Sequence, residues 1–430
     1  MREQRDIQGD VRRRTARSRK RQPISDSTHP PAGELAAWPR LIDERANPVR
    51  WALVDVDALR RNALAVTQLV GPRCEVMAMV KANAYGHGAL LAAHAFLEGG
   101  VRRFGASSAE EALQLRGGGV DAPVLVVGWT HPSSHRALVD AGVEAAVYDL
   151  DSTHSLATAA QSAGRPVGVH LKLDTGMGRQ GADLASVPAL LDELWSSRAS
   201  IEVVGVFTHF ADADGPDRNF TEEQHERFLT VIDEVCDRYP DALVHCSNSA
   251  GLLRFPEMNH DLVRPGLVLY GYEPAHCEGV VNVEPAMSVL ACITRLFTVR
   301  RGDSVGYNRT WRAPKDARVA VVAAGYADGV QRAQSNSGHV LVNGVRCPIV
   351  GAVSMDQLTV DVSEAASVTV GDVAELLAGA GSERGLLDAA EVARAGRTSV
   401  YEVLCAVSAR VPRYVAGAVR AGPLAADDRR

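Results

Sequence analysis

Between about Trp51 and Tyr270, short apolar runs recur at regular intervals, separated by alanine- and leucine-rich stretches with helical spacing. The runs predict strands at 75–81, 103–107, 124–128, 145–148, 167–173, 203–209, 243–248 and 262–265. The clearest helix is 221–239, where Phe228, Leu229, Ile232 and Val235 make one apolar stripe and Thr221 with Gln224 suits a capping box. Eight strand–helix alternations predict the α/β class and a (β/α)8 barrel. No GxGxxG follows any of the runs, which disfavours an open doubly wound sheet.

Beyond Val283 the period changes. Alternating apolar positions flank Asn343-Gly344 over 340–347, the pattern of a hairpin with a type I′ turn. Further strands are expected at 318–324 and 358–362, and helical spacing returns only at 386–395. The division predicted is a barrel over 47–282 and a mainly β domain over 283–418, joined by the Gly- and Pro-bearing stretch 271–284. Segments 1–46 and 419–430 are read as tails.

Composition narrows the class. The chain has 430 residues, 46% of them apolar, and no apolar run of the ~20 residues a membrane span needs. No basic stretch followed by an apolar one opens it, so secretion is disfavoured. Seven cysteines, odd in number and never spaced CxxC, argue against a disulfide scaffold or a zinc ribbon. No metal is expected, and a reducing cytoplasm is the expected setting. The formal charge of −6 gives no reason to expect a nucleic-acid partner. Residues 1–22 nevertheless hold nine basic and three acidic groups, a net +6, which leaves −12 for the rest. With so little apolar surface this segment is expected to stay disordered and solvated.

Polar residues gather where the predicted barrel strands end, the face on which such barrels build their sites. Lys81 closes the first strand, ahead of the small residues of Ala82-Asn83-Ala84-Tyr85-Gly86-His87-Gly88. A lysine closing an apolar strand is poorly solvated, which lowers its pKa and makes it a usable amine. The fifth strand leads into Lys172-Leu173-Asp174-Thr175-Gly176-Met177-Gly178-Arg179, whose cations flank a glycine-rich turn suited to an anion. On spacing alone, a salt bridge to Asp174 is the default for these two cations. His209 closes the sixth strand, Asn248-Ser249 follow the seventh, and Arg264-Pro265-Gly266-Leu267 end the eighth. Ser249, Gly266 and Leu267 therefore converge on a phosphate cradle of the kind this fold places after its last two strands. A strand-end lysine facing a phosphate site suggests pyridoxal 5'-phosphate. At the end of the eighth strand stands Arg264, which cannot accept a ring-nitrogen proton as a carboxylate would.

Taken in order, these motifs, with Gly306-Tyr307, Gly325-Tyr326-Ala327-Asp328-Gly329, Ser354-Met355-Asp356-Gln357 and Tyr401-Glu402-Val403, resemble the alanine racemase family from about Trp51 to Tyr414. The resemblance implies a barrel followed by a β domain and a pyridoxal 5'-phosphate enzyme that interconverts L- and D-alanine, supplying D-alanine for peptidoglycan. It implies that Lys81 attaches the cofactor and is the base for D-alanine, with Tyr307 the base for L-alanine. Tyr307, Met355 and Asp356 would be contributed by the other subunit of a homodimer that shares its sites. Arg264 would face the pyridine nitrogen, with His209 behind it. Arg179 would approach the substrate carboxylate, oriented by Lys172, which family members often carry as a carbamate. Tyr85, Ser249, Gly266, Leu267 and Tyr401 would hold the phosphate, with Asn248 beside them. Ala352, Asn308 and Ala409 depart from the family pattern of arginine, glycine and tyrosine, and the basic tail has no counterpart in it. Serine or broad-spectrum racemisation is the nearby alternative. A related decarboxylase would carry a cysteine where Ser354 stands and an acid where Arg264 stands, and a non-catalytic carrier would lack the β domain.

Overall fold

The computed structural model describes residues 48–379 and 387–416; the basic segment and both tails lie outside them. The first strand, β1 (Arg50–Val54), does not enter the barrel. It runs antiparallel to β10 (Met287–Val299), with Trp51 opposite Leu290, and parallel to Arg413–Val415, with Ala52 opposite Arg413. Residues 50–54, read from the sequence as part of the barrel segment, thus stand inside the second sheet. Hydrogen bonds along both edges and the full burial of Ala52 and Val54 hold them there.

The barrel then forms from β2 (Glu75–Met79), β3 (Arg103–Ala106), β4 (Val124–Val126), β5 (Glu144–Val147), β6 (Val167–Lys172), β7 (Ile201–Phe207), β8 (Leu243–His245) and β9 (Leu262–Val263). All neighbours are parallel, in the order β8-β7-β6-β5-β4-β3-β2-β9. The cylinder closes between β8 and β9, where Asp261 N–H donates to Val244 O at 3.1 Å and Arg264 N–H to Ser247 O at 2.9 Å. Several helices start on side-chain caps: Asp55 accepts from the Ala58 amide ahead of Val56–Val70, and Asp149 from the Ser152 amide ahead of Leu150–Ala163.

Met77, Leu125, Leu243 and Leu262 form a small apolar cluster. His170, Lys172, His245 and Arg264 are buried too, so the strands carry a polar set as well. Room for it is made by omission: a Cβ at Gly205 of β7 would come within 2.5 Å of His170 Nδ1.

The longest helix near the site runs over Asn219–Arg238, two residues earlier than predicted. That shift places Thr221 and Gln224 inside the helix, and the expected capping box is absent. Gln224 is buried instead: its Oε1 accepts from the Ala211 amide at 2.8 Å and its Nε2 donates to His209 O at 3.2 Å. It ties down the loop after β7.

In the second unit, β10 also pairs with Ala317–Val322 and Val373–Leu377, and Ala317–Val322 pairs with Leu358–Asp361. The predicted hairpin is present as His339–Val342 against Val345–Pro348, with φ of 51° at Asn343 and 75° at Gly344. The architecture is a (β/α)8 barrel followed by a mainly β domain that borrows the chain's first strand.

Candidate active site

Lys81 lies two residues past the end of β2 and opens a turn of unusual hand. Ala82, Asn83, Ala84 and Tyr85 have φ of 53°, 53°, 54° and 50°, one left-handed helical turn. Each such residue costs roughly 1–2 kcal/mol, so neighbours must hold it. Glu111 does so: one oxygen accepts from the Ala82 amide at 2.6 Å, the other from the Ser107 amide and hydroxyl, both at 2.8 Å. Asn83 Oδ1 accepts from the Ala89 amide and so starts the next helix. The turn leaves Lys81 and Tyr85 on one cavity.

That cavity has a volume of about 370 Å³ and is lined by Lys81, Lys172, Arg179 and Arg264, with no carboxylate among its lining residues. Such a set accepts an anion. Burial, then the charge of Arg179, pulls the Lys81 amine below the ordinary lysine range. Burial and Arg179 likewise bring Lys172 down to about 8. Lys172 Nζ donates to Val127 O at 3.0 Å and lies 5.6 Å from the centre of the Phe207 ring. Asp174 serves the glycine-rich loop: its Oδ1 accepts from the amides of Gly176 at 2.9 Å and Gly178 at 3.1 Å. The default salt bridge to Lys172 is not among the ion pairs of the described residues.

Arg264 is held from several directions. Its Nη2 donates to Thr208 O at 2.7 Å and Cys246 O at 3.0 Å, and its Nη1 to His245 Nδ1 at 2.8 Å. His209 stands farther off, at 3.4 Å. The residue behind the arginine is therefore chiefly His245, two positions before Ser247 on an inward-facing site of β8, rather than His209. The contact continues downward. Accepting at Nδ1 forces the His245 proton onto Nε2, which donates to His170 Nδ1 at 2.9 Å. His170 in turn donates from Nε2 to Glu144 Oε2 at 3.0 Å, and Glu144 also takes Arg103 at 3.1 Å. Burial drives His245 and His209 well below the ordinary imidazole range, and Arg264 adds to both. Despite its burial, Glu144 is held below the usual carboxylate range by His170 and Arg103. Burial lowers even the Arg264 guanidinium, to about 10, so it still carries its charge at neutrality.

At the other end of the cavity, Ser249 Oγ accepts from the Gly266 amide at 2.9 Å. Gly266 needs to be glycine here, because a Cβ would fall 2.3 Å from the Tyr85 hydroxyl. Tyr401 faces Tyr85 with ring centres 6.1 Å apart, and burial pushes its phenol up to about 12. Asn248 and Leu267 also line this end, and Asn248 caps the helix Ser249–Arg254 by accepting from Gly251 N–H at 2.9 Å.

Tyr307, Met355 and Asp356 are elsewhere, on the β domain, and none lines the cavity. Tyr307 is 69% exposed and Met355 52%. Gly306, next to Tyr307, packs beside Ala352, and Arg410 donates to Asp356 at 2.6 Å. Asn308 has φ of 59°, which explains why asparagine can stand in for glycine there.

Residues 54–274 match the model of the alanine racemase N-terminal domain and residues 286–415 that of the C-terminal domain. The alanine racemase of Desulforamulus reducens is 39% identical over 378 residues, covering 85% of this chain and 99% of that protein. The chain belongs to the alanine racemase family. The alanine racemase of Methanococcus maripaludis is 36% identical over 84% of this chain and 97% of its own length. Among solved structures, the alanine racemase of Streptomyces lavendulae superposes with a TM-score of 0.81 at 34% identity, covering 87% of this chain and 99% of that one. The Bacillus anthracis alanine racemase with bound L-Ala-P gives 0.80 at 32% identity, covering 88% and 96%.

Sequence reasoning missed several groups that shape this racemase cavity: His245, Glu111, Gln224 and Cys405, which lines it beside Lys81. His245 carried one usable signal, its even spacing from Leu243 on a strand whose inward positions face the barrel interior.

Proposed function

We propose that this chain is an isomerase that interconverts L-alanine and D-alanine with pyridoxal 5'-phosphate. The observation that carries the reading is a desolvated Lys81 amine in a cavity whose charged lining is wholly cationic, opposite a buried Arg264. The cavity suits that cofactor: Ser249, the Gly266 amide, Tyr85 and Tyr401 surround the end where a phosphate would sit, and a side chain at position 266 would fill the space. When bound, the cofactor supplies an electron-withdrawing ring that acidifies the α-hydrogen of an attached amino acid. Arg264 would face its ring nitrogen and, being unable to take a proton, leave that nitrogen unprotonated.

The chain's own work is to handle one proton on two faces. Lys81, kept less basic by its surroundings, takes or returns it on one side. Tyr307 of a second copy would serve the other, with Met355 and Asp356 beside it, so the functional unit is a homodimer. Arg179 would bind the substrate carboxylate. A lysine near pKa 8 is neutral often enough to add carbon dioxide, so Lys172 is proposed as a carbamate that steadies Arg179. D-alanine for peptidoglycan, made in the cytoplasm, is the proposed role; no helix of the described residues is long and apolar enough to cross a membrane. Purified protein given L-alanine in deuterated water should form D-alanine with deuterium at the α-carbon, seen by chiral chromatography. Faster turnover of L-serine, L-lysine or L-arginine would redirect the reading to a broader racemase.

A further inference from the structure

On the outer side of the barrel wall, away from the cavity, three metal-ligating side chains meet. His225 comes from the helix Asn219–Arg238, Cys246 directly follows β8, and His260 directly precedes Asp261 at the entry to β9. Their ligand atoms all lie within 4.8 Å of one another, and the two Nε2 atoms are 2.9 Å apart. We propose that His225, Cys246 and His260 form a binding site for a borderline-soft divalent cation, with Zn²⁺ as the occupant.

The donor set is right for that choice. Two imidazoles and one thiolate are the ligands tetrahedral zinc prefers, and oxygen-seeking Mg²⁺ and Ca²⁺ would not select them. Histidine and cysteine bonds of about 2.1 and 2.3 Å set tetrahedral N···N at ~3.4 Å and N···S at ~3.6 Å. The two nitrogens therefore open by about half an ångström, and the sulfur, within 4.8 Å of them, closes by up to about 1.2 Å. Both histidines are half-buried and Cys246 is buried, and a water entering with the ion would take the fourth position. Burial holds both imidazoles near 4, so neither is cationic at neutrality, and pushes the Cys246 thiol up to about 12, so the ion itself must displace that proton.

Binding is balanced as follows. The proton shared between the two Nε2 atoms moves to the Nδ1 of the ring that carried it, freeing both lone pairs. The Cys246 S–H bond breaks, its proton leaves to solvent, and the sulfur–metal bond forms in its place. The Sγ hydrogen bond to Met258 O, at 3.1 Å, is given up in that exchange. An ion there joins the helix Asn219–Arg238 to the ends of β8 and β9. Those strands present His245 and Arg264 to the barrel interior, and the Cys246 carbonyl accepts from Arg264. The site thus clamps the scaffold behind the arginine. Its ligands stand 21 and 14 residues apart on three elements, which is why no spacing in the chain announces it.

The test uses tag-free, full-length protein stripped with chelator, equilibrated with Zn²⁺ and passed through gel filtration. Retention should be about one zinc per chain, falling below about a tenth in Cys246→Ser and His260→Phe. With Co²⁺ as probe, the native protein should show the intense bands of a tetrahedral ion and a thiolate charge-transfer band that Cys246→Ser removes. Circular dichroism of the metal-free variants reports whether they fold, and His225→Leu, on a helix surface, supplies the same readout should His260→Phe fail. Retention of less than a tenth of an equivalent by the native protein, or retention unchanged in the variants, overturns the proposal.

Discussion

The barrel cavity and the exposed face of the β domain carry the two halves of one proposed reaction, and they are built in opposite ways. Around Arg264 every contact is internal: carbonyls of Thr208 and Cys246, then His245, His170, Glu144 and Arg103 in file. Around Tyr307 the chain provides little: the residue is largely exposed, and only its neighbour Gly306 packs beside Ala352. A group that must be positioned to a few tenths of an ångström is either buried by its own chain or by another. The first half is finished on folding; in the proposed homodimer the second would be finished on association.

Predictions that break or sharpen this contrast run from large to small. Lys81→Ala should lower racemisation by ~10⁴-fold or more while the protein still folds, since a single cavity amine is lost. Retained turnover in that variant would remove the barrel half from the chemistry. Tyr307→Phe should cost roughly 10²–10⁴-fold, with isotope washout from L-alanine slowed far more than from D-alanine. Equal slowing of washout from both would deny Tyr307 a face of its own. His245→Phe removes one hydrogen bond to a buried cation and should cost roughly 10- to 100-fold in kcat, with the pH profile of kcat displaced. Rescue by His245→Gln, which can still accept from Arg264, separates this from general damage.

The smallest effect concerns acid. Burial puts His87 near 4 in the folded protein against 6.5 for a free imidazole. Between those values the unfolded chain binds a proton that the folded one refuses, so stability rises with pH and falls on acidification, by at most about 1.4 kcal/mol per pH unit per group. His225 and His260 share this behaviour in metal-free protein. A Tm that is flat from pH 6.5 to 4.5 in metal-free protein would contradict it.

Much of this was legible beforehand. Apolar runs are a local signal, and they located all eight barrel strands and the Asn343-Gly344 hairpin. Lys81, Arg179, Ser249 and Arg264 were legible because each stands beside a glycine or within a residue of the end of a run. His245 and His170 were not, because their partnership joins positions 75 residues apart and depends on which inward sites share a level of the barrel. The left-handed turn was hidden for another reason: Ala82 and Ala84 carry no signal for that hand, and the Glu111 bond that helps hold it joins positions 29 residues apart. The capping box misled because Thr and Gln at that spacing fit a helix start equally well one turn farther in.

The placement of β1 bears on how the molecule is made. A ribosome delivers Arg50–Val54 before any of the barrel, yet both neighbours of that ribbon come later, one more than two hundred residues on and the other at Arg413–Val415. Throughout most of synthesis the ribbon has no edge to pair with, while the barrel behind it can already close. Its capture by the two late strands is a long-range pairing, of the kind that loop-closure entropy slows. It fastens the start of the described residues to their end, so the β domain becomes whole only after Arg413–Val415 has been made.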